Sequence, residues 1–293
     1  MRLIAASQAP AARDWLASTN HARVSGSFER AFNLINVQGK LLSVVAQEIG
    51  DGPFAMVIAD FQGSFEQIAS DGATVSVLGK QMLIDTLVID FTEADLWQPR
   101  PDWEGLAVRP DRILAGLTML QAVLRLAAPV GSMVTVLETT RQATSHNLAT
   151  AVEAVKQFYG GLSKSDVCQV KSAARSLAGL GSGLTPAGDD FLMGALHALW
   201  AIKGTDKAVE LSDTIVGVAA PRTTQLSAAW LWAAARGEAC ERWHKLVNSL
   251  LSGKAKAISR AARCISATGH TSGADALTGF VMSAYALHNQ NTQ

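Results

Sequence analysis

Charged residues, cysteines and long apolar runs are all scarce in this chain. The cysteines are Cys168, Cys240 and Cys264, widely spaced and without a C-x-x-C pair. So odd and sparse a set argues against a disulfide frame or a structural zinc site and points to a reducing, cytoplasmic setting. The longest apolar stretches, such as 228–235, reach only about half a membrane span. The first eight residues hold too short an apolar run for a signal peptide. Lys+Arg and Asp+Glu both number 25, and no basic stripe interrupts that balance. Neither nucleic acid nor an anionic membrane surface is therefore an expected partner. The G-x-S-x-G, Walker and H-E-x-x-H signatures are missing too.

What the chain has in quantity is apolar material, 48% of 293 residues against 17% charged. That fits two domains or one large one, and the low charge fits a large core or an oligomer interface. Two textures divide it. Up to residue 105, short β-prone runs (32–37, 41–46, 54–59, 74–78 and 86–89) alternate with turn signals such as Gly50-Asp51-Gly52-Pro53 and Asp71-Gly72. Asp71-Gly72 in particular reads as a hairpin turn. Pro99, Pro101, Gly105 and Pro110 then break the chain. Beyond them Ile113, Leu114, Leu117, Leu120, Val123 and Leu124 fall on one helical face. Helices are expected at roughly 148–159, 165–177, 187–202, 208–219, 224–235, 241–251, 255–267 and 274–288, while 133–137 fits a strand or a helix start. The expectation is an α+β chain: a β-rich domain over 1–105, antiparallel sheet or small barrel, then a mainly α-helical domain over 106–293.

The most informative stretch is GLGSGLTPAGDD, Gly179 to Asp190. Glycines at 179, 181 and 183 allow positive φ and expose backbone N–H groups in a nest that includes Ser182. Thr185 reads as an N-cap and Pro186 as the first helical residue, which puts Asp189 and Asp190 in the first turn. Part of the pattern returns 85 residues later: Gly188 to Gly194 and Gly273 to Gly279 both read G-x-D-x-L-x-G. The second copy follows Gly269-His270-Thr271-Ser272, again small and hydroxyl-rich. Asp190 and Gly194 share a helix face, as do Asp275 and Gly279. The expectation is that two helix starts pack side by side and bring Asp190 and Asp275 to one pocket. The plainer reading is that each aspartate only stabilises a helix dipole, by about 0.3–1 kcal/mol.

A helix start attracts anions, while aspartates repel them. Mg²⁺ held by Asp189, Asp190 and Asp275 could reconcile the two. So could amide, ureido or ammonium groups donating to the carboxylates, or an aspartate acting as general base. His270 is a candidate acid or base beside the second copy. Pro221-Arg222-Thr223-Thr224-Gln225-Leu226-Ser227 opens another helix, with Arg222 suited to a carboxylate or phosphate and Thr223 and Ser227 on one face. The plainer reading there is a hydroxyl cap. His197, on the apolar helix after Asp190, reads as core, and the three cysteines read as structural. Ser27, Arg30 and Asn33 make a polar patch in a strand region, suited to a cleft or to a solvated face.

The string GLGSGLTPAGDDFLMG, the Thr223-Thr224-x-x-Ser227 element and GHTSGADALTG (Gly269 to Gly279) together resemble a bacterial family long labelled as a domain of unknown function. It includes a subunit of the oxamate carbamoyltransferase of anaerobic allantoin breakdown. Ser27 to Leu34 is similar as well, departing at Glu29-Arg30 and Phe32. The resemblance implies nitrogen metabolism by purine and allantoin catabolism: an N-carbamoyl acid such as oxalurate exchanging with phosphate to give oxamate and carbamoyl phosphate, within a complex of different subunits. On residue type, the nest of Gly181, Ser182 and Gly183 with Arg222 could hold phosphate or the acid's carboxylate. Asp190 and Asp275 could hold Mg²⁺ or the ureido N–H groups, and Thr223 or Ser227 could polarise the carbamoyl oxygen. Thr185, Asp189, Thr224, Thr271, Ser272 and Gly273 complete the expected substrate site around Asp190, Asp275 and His270. Two other readings stand beside it: a Mg²⁺-dependent hydrolase on a helical scaffold, and a non-catalytic subunit that binds a small anion, in a hetero-complex or a homo-oligomer.

Overall fold

The computed structural model describes residues 1–137 and 146–290. Its contacts divide the chain into two compact units, Met1–Pro99 and Arg100–Gln293.

The first unit contains strands β1 (Arg2–Gln8), β2 (His21–Ser27), β3 (Ala31–Asn36), β4 (Leu41–Ala46), β5 (Ala55–Ile58), β6 (Thr74–Leu78), β7 (Gln81–Ile84), β8 (Leu87–Asp90) and β9 (Asp95–Leu96), with helix α1 (Pro10–Ser18) after β1. The strand order is β5-β4-β3-β2-β6-β7-β8-β1, and β1 pairs back to β5. The sheet thus closes into an eight-stranded barrel, with β9 added beside β1. The expected barrel is present, but the β4–β5 and β1–β8 pairings are parallel. Alternation drives closure: Val75 and Val77, Met82 and Ile84, Leu87 and Ile89 all turn inward, onto a core that includes Phe32 and Phe65. Those two rings meet edge-on at 5.1 Å.

Asp71-Gly72 does not join two neighbouring strands as a hairpin. It is the turn into β6, docked on β2: Gly72 N donates to Val24 O at 3.0 Å, and Gly26 N donates to Asp71 Oδ1 at 2.9 Å. Arg30 and Asn33 are occupied within this unit. The Arg30 guanidinium donates to Gly63 O at 2.7 Å, to Phe61 O at 3.1 Å and to Glu48, clasping two turns. Asn33 Oδ1 accepts from Ser43 at 2.6 Å.

The second unit is helical: α2 (Trp103–Ala107), α3 (Pro110–Ala127), α4 (His146–Lys164), α5 (Val167–Leu177), α6 (Ala187–Lys203), α7 (Thr205–Ala219), α8 (Gln225–Ala235), α9 (Glu241–Ser252), α10 (Ala255–Ser266) and α11 (Ser272–Gln290). Residues 133–137, ambiguous in sequence, form a 3₁₀ turn that packs on α11. None of the described helices is long and apolar enough to cross a membrane.

Helices α6 and α11 are buried along most of their length and form the centre of this unit. Glycine is what lets them meet. A Cβ on Gly194 would lie 1.7 Å from Ala276 O, and one on Gly279 would lie 2.0 Å from Phe191 O. The contact is reciprocal: each glycine stands four residues after its own aspartate and touches the residue after the other aspartate. Glycine inside a helix costs roughly 1 kcal/mol relative to alanine, so backbone contact is the physical return. The helices that lead in are joined the same way. A Cβ on Gly188 would lie 2.0 Å from Leu177 O at the end of α5, and one on Gly273 would lie 1.7 Å from Ile265 O near the end of α10. Gly188 N donates to Leu180 O and Gly273 N to Thr268 O, at 2.9 and 3.0 Å. Helix α5 with α6 and helix α10 with α11 are therefore joined alike, each through a glycine pressed on the preceding helix and a glycine pressed on the facing helix.

Candidate functional site

The first glycine turn takes the expected left-handed backbone, with φ of 72° at Gly179, 119° at Gly181 and 95° at Gly183. Thr185 does not cap α6. Pro186 occupies the N-cap position, and the Thr185 hydroxyl reaches across to lie 2.9 Å from Ser272 Oγ, joining the two turns. Asp189 ties down its own turn: Oδ1 accepts from Gly179 N at 2.9 Å and Oδ2 from the Thr223 hydroxyl. Thr224 is the N-cap of α8, accepting from Ser227 N at 3.1 Å, and its hydroxyl donates to Leu184 O at 2.6 Å. Ser227 Oγ lies 3.5 Å from the same carbonyl. Arg222 Nε donates to Arg175 O at 3.2 Å.

Asp190 lines a cavity of about 230 Å³ with Thr185, Met193, His197, Trp230, Cys240, Arg242, Trp243, Ile265, Thr268, Gly269, Ser272, Gly273 and Ala276. Of the residues expected at the site, Asp190, Thr185, Ser272 and Gly273 line this cavity. Gly181, Ser182, Gly183, Asp189, Arg222, Thr223, Thr224, Ser227, Thr271 and Asp275 do not, and neither does His270, which is exposed in the turn before α11. Asp275, the twin of Asp190, is fully buried elsewhere in the helical packing, where its Oδ1 accepts from Met133 N at 2.5 Å.

Three wall residues with chemical capacity were not singled out by sequence pattern: His197, Arg242 and Trp243. A signal for His197 existed, because 190, 193 and 197 follow the i, i+3, i+7 rule and share a face of α6. His197 is stacked against Trp103 at 5.6 Å and packed against Trp243 at 4.6 Å between ring centroids. Burial pulls its pKa down to about 4, so the ring is neutral at pH 7. Nε2 stands 3.3 Å from Glu238 O. A carbonyl can only accept, which assigns the proton to Nε2 and leaves Nδ1, buried without a partner, as an acceptor. Arg242 donates through Nη1 to Thr268 Oγ1 at 2.5 Å and Cys264 O at 3.5 Å. No carboxylate among the described residues pairs with it. Its Nε and Nη2 remain available to an anion.

The carboxyl groups differ sharply in state. Asp190 is 5% exposed, and its Oδ2 is buried with no hydrogen-bond partner. Burial pushes its pKa up to about 8, against a downward pull from Ser272, and the charges of Asp275 and Asp189 push the same way as burial. Burial also raises Asp275, to about 6, opposed by the Met133 N–H and by Thr271. Asp189 is raised by burial and opposed by Thr223, Gly179 and Ser227. Burial therefore favours the protonated form of Asp190 more strongly than that of Asp275, a difference that environment imposes on like groups. Burial raises the Cys240 thiol, which stays unionised on the wall.

No group of three or more His, Cys, Asp or Glu among the described residues is placed to hold a metal ion. Asp189 is engaged by its own turn and Asp275 by the Met133 N–H, while Asp190 lines the cavity. What the cavity offers is a guanidinium, three hydroxyls (Thr185, Thr268 and Ser272), a neutral carboxyl, an acceptor imidazole nitrogen and the start of α11. That set suits a small anion bearing a second polar group.

The family described as oxamate carbamoyltransferase subunit AllH matches residues 177–284, and the AllH family N-terminal domain matches residues 4–96. No solved structure matches the chain.

Proposed function

Because the chain belongs to the AllH family of oxamate carbamoyltransferase subunits, we propose that the Asp190 cavity is where it binds the small acid of a carbamoyl transfer. An enzyme subunit acts with partner chains, and the finished active centre includes theirs. In this reading Arg242, through its free Nε and Nη2, holds the acid's carboxylate as a two-point clamp, assisted by the α11 N-terminus. Trp243 and Trp230 keep the site dry and so strengthen both interactions.

Asp190 serves as the proton donor. When phosphate attacks the carbamoyl carbon of an oxalurate-like acid, a C–O bond forms to phosphate and the C–N bond to the acid's nitrogen breaks. The departing nitrogen takes the Asp190 proton and leaves as a primary amide, with carbamoyl phosphate as the second product. A carboxyl with a pKa near 8 is protonated when the step begins. Asp275, as a buried anion nearby, helps keep that proton on Asp190.

The observation that carries this reading is the buried Asp190, whose Oδ2 has no hydrogen-bond partner, in the same cavity as Arg242, which pairs with no carboxylate among the described residues. The test is an assay of carbamoyl phosphate formation from oxalurate and phosphate, with the chain alone and with its partner subunits. Turnover should require the partners, and Asp190→Asn in the full complex should lower kcat by about 10²–10⁴-fold, the usual span of general acid catalysis. Turnover by the chain alone that depends on added Mg²⁺ would favour a hydrolase and defeat the proposal. So would Asp190→Asn at wild-type rate.

A further inference from the structure

The matched glycine contacts make Asp275 an internal control for Asp190. Both aspartates stand two residues after a glycine pressed on the end of the preceding helix, and four before a glycine pressed on the partner helix. Both have an Oδ2 buried without a hydrogen-bond partner. The backbone that holds them is repeated, and their surroundings are not. Asp190 looks onto a cavity; Asp275 is closed over by the 3₁₀ turn, with the Met133 N–H donated to its carboxylate. The chain has thus filled one of two equivalent positions with an amide of its own.

We infer that the open position is built for the same group: the Asp190 carboxyl, through an oxygen that carries no proton, accepts an N–H from the amide or ureido nitrogen of the bound acid, and selects such acids over equally charged, equally shaped acids that lack it. The inference rests on the proposed function and sharpens it, by naming which end of the ligand faces which residue. The carboxylate goes to Arg242 and the nitrogen to Asp190. The arrangement also suits the product state. Once Asp190 has given its proton to the departing nitrogen, the group left behind is an acceptor-only carboxylate facing the N–H bonds just completed. The twin shows the geometry: the Met133 N–H lies 2.5 Å from Asp275 Oδ1.

Oxamate and pyruvate separate the idea cleanly. Both are monoanions of nearly one shape, and a methyl group in pyruvate replaces the oxamate NH₂. Calorimetric titration of the full chain at pH 9, above the Asp190 pKa, should give oxamate at least a tenfold lower Kd than pyruvate. Asp190→Ala removes the acceptor and should bring the ratio to about one; Asp190→Asn keeps a neutral acceptor and should leave an intermediate ratio. Thermal melts of both variants establish that they are folded. Equal affinities in the wild type, or a preference that survives Asp190→Ala, overturn the inference and leave the proposed site standing. Arg242→Met reads the other half: it should weaken both acids alike. If it leaves both unchanged while Asp190→Ala still abolishes the preference, the clamp is wrong and the N–H acceptor stands. Binding of neither acid by the wild type sinks both.

Discussion

Gly188 follows Leu177 by eleven positions, and Gly273 follows Ile265 by eight. Yet each glycine presses on a carbonyl in the last turn of its preceding helix, and the helices that follow cross at matched glycines. The three extra residues in the first turn belong to the exposed Gly181–Gly183 loop, and Asp189 exists to anchor it, holding Gly179 N and Thr223. The second turn is shorter and carries Ala274 at that place, with no such anchor to make. What differs most is what covers each aspartate: open space at Asp190, the Met133 turn at Asp275. The repeated motif fixes a packing geometry. The surroundings of each aspartate come from elements outside the motif, here α9 with Arg242 and Trp243 on one side and residues 133–137 on the other.

The sharpest way to break the equivalence is to put a methyl group at each crossing glycine. Gly194→Ala would bring Cβ to 1.7 Å from Ala276 O, and Gly279→Ala to 2.0 Å from Phe191 O. Neither obstacle is a movable side chain, so the central helices must part. Each variant should lose about 3 kcal/mol or more of stability, at the upper end for overpacking, measured by urea denaturation. Similar losses are the signature of a reciprocal contact. Tolerance at one site and collapse at the other would mean that the halves are not equivalent and that Asp275 is no guide to Asp190.

That comparison was partly legible in the sequence. The division into β-rich and helical regions followed from period and turn signals, and the rhythm of short β-prone runs and turns left an antiparallel sheet or a small barrel as the alternatives for the first region. Strand β1 carried little local signal because Arg2–Gln8 contains one strongly β-prone residue, Ile4, and its place in the sheet comes from pairing with distant β5 and β8. The G-x-D-x-L-x-G echo correctly announced that α6 and α11 meet, because close helix approach demands glycine at a fixed spacing. The same echo could not tell which aspartate faces space, since Met133 lies 142 positions from Asp275 and pairs with it through its backbone alone. Hydroxyls misled for a related reason. Thr223, Thr224 and Ser227 are the right types to bind a ligand, and they spend that capacity on Asp189, Leu184 and the α8 cap. Arg242 carried no local signal at all, because an arginine on an amphipathic helix is ordinary until its partners are known to be absent.

Titration offers a subtler separation of the twins. A carboxyl whose folded pKa lies above its unfolded value of about 4 binds more protons in the folded state. Its contribution to stability is fully present below pH 4 and is lost as pH rises to the folded pKa, near 6 for Asp275 and near 8 for Asp190. His197 works in the opposite sense between about pH 6.5 and 4, losing stability as pH falls, because its folded pKa is depressed. The window from pH 6.5 to 8 therefore isolates Asp190. Stability should decline across it in the wild type and stay flat in Asp190→Asn, whereas Asp275→Asn should keep the slope. Denaturant midpoints measured at half-unit pH intervals would decide. A slope that disappears in Asp275→Asn instead would exchange the roles of acid and anion.

The smallest expected effect concerns the extra length of the first turn. Gly183 has φ of 95°, and nothing stands within 4 Å of the methyl that alanine would add, so this glycine meets a backbone demand and no packing demand. Gly183→Ala should cost about 1 kcal/mol, the penalty for an L-residue in the left-handed region. Gly179 has a similar φ but presses on Arg222 O, where a Cβ would come within 2.6 Å, so Gly179→Ala should cost more than that. Melting temperatures of the two variants rank them. Equal small losses would mean that the Asp189 anchor is slack and the longer turn is held only at its ends. A large loss at Gly183 would mean that the exposed loop is seated against something this chain does not supply, such as a partner subunit, and the longer turn would then be the feature that sets the first copy apart.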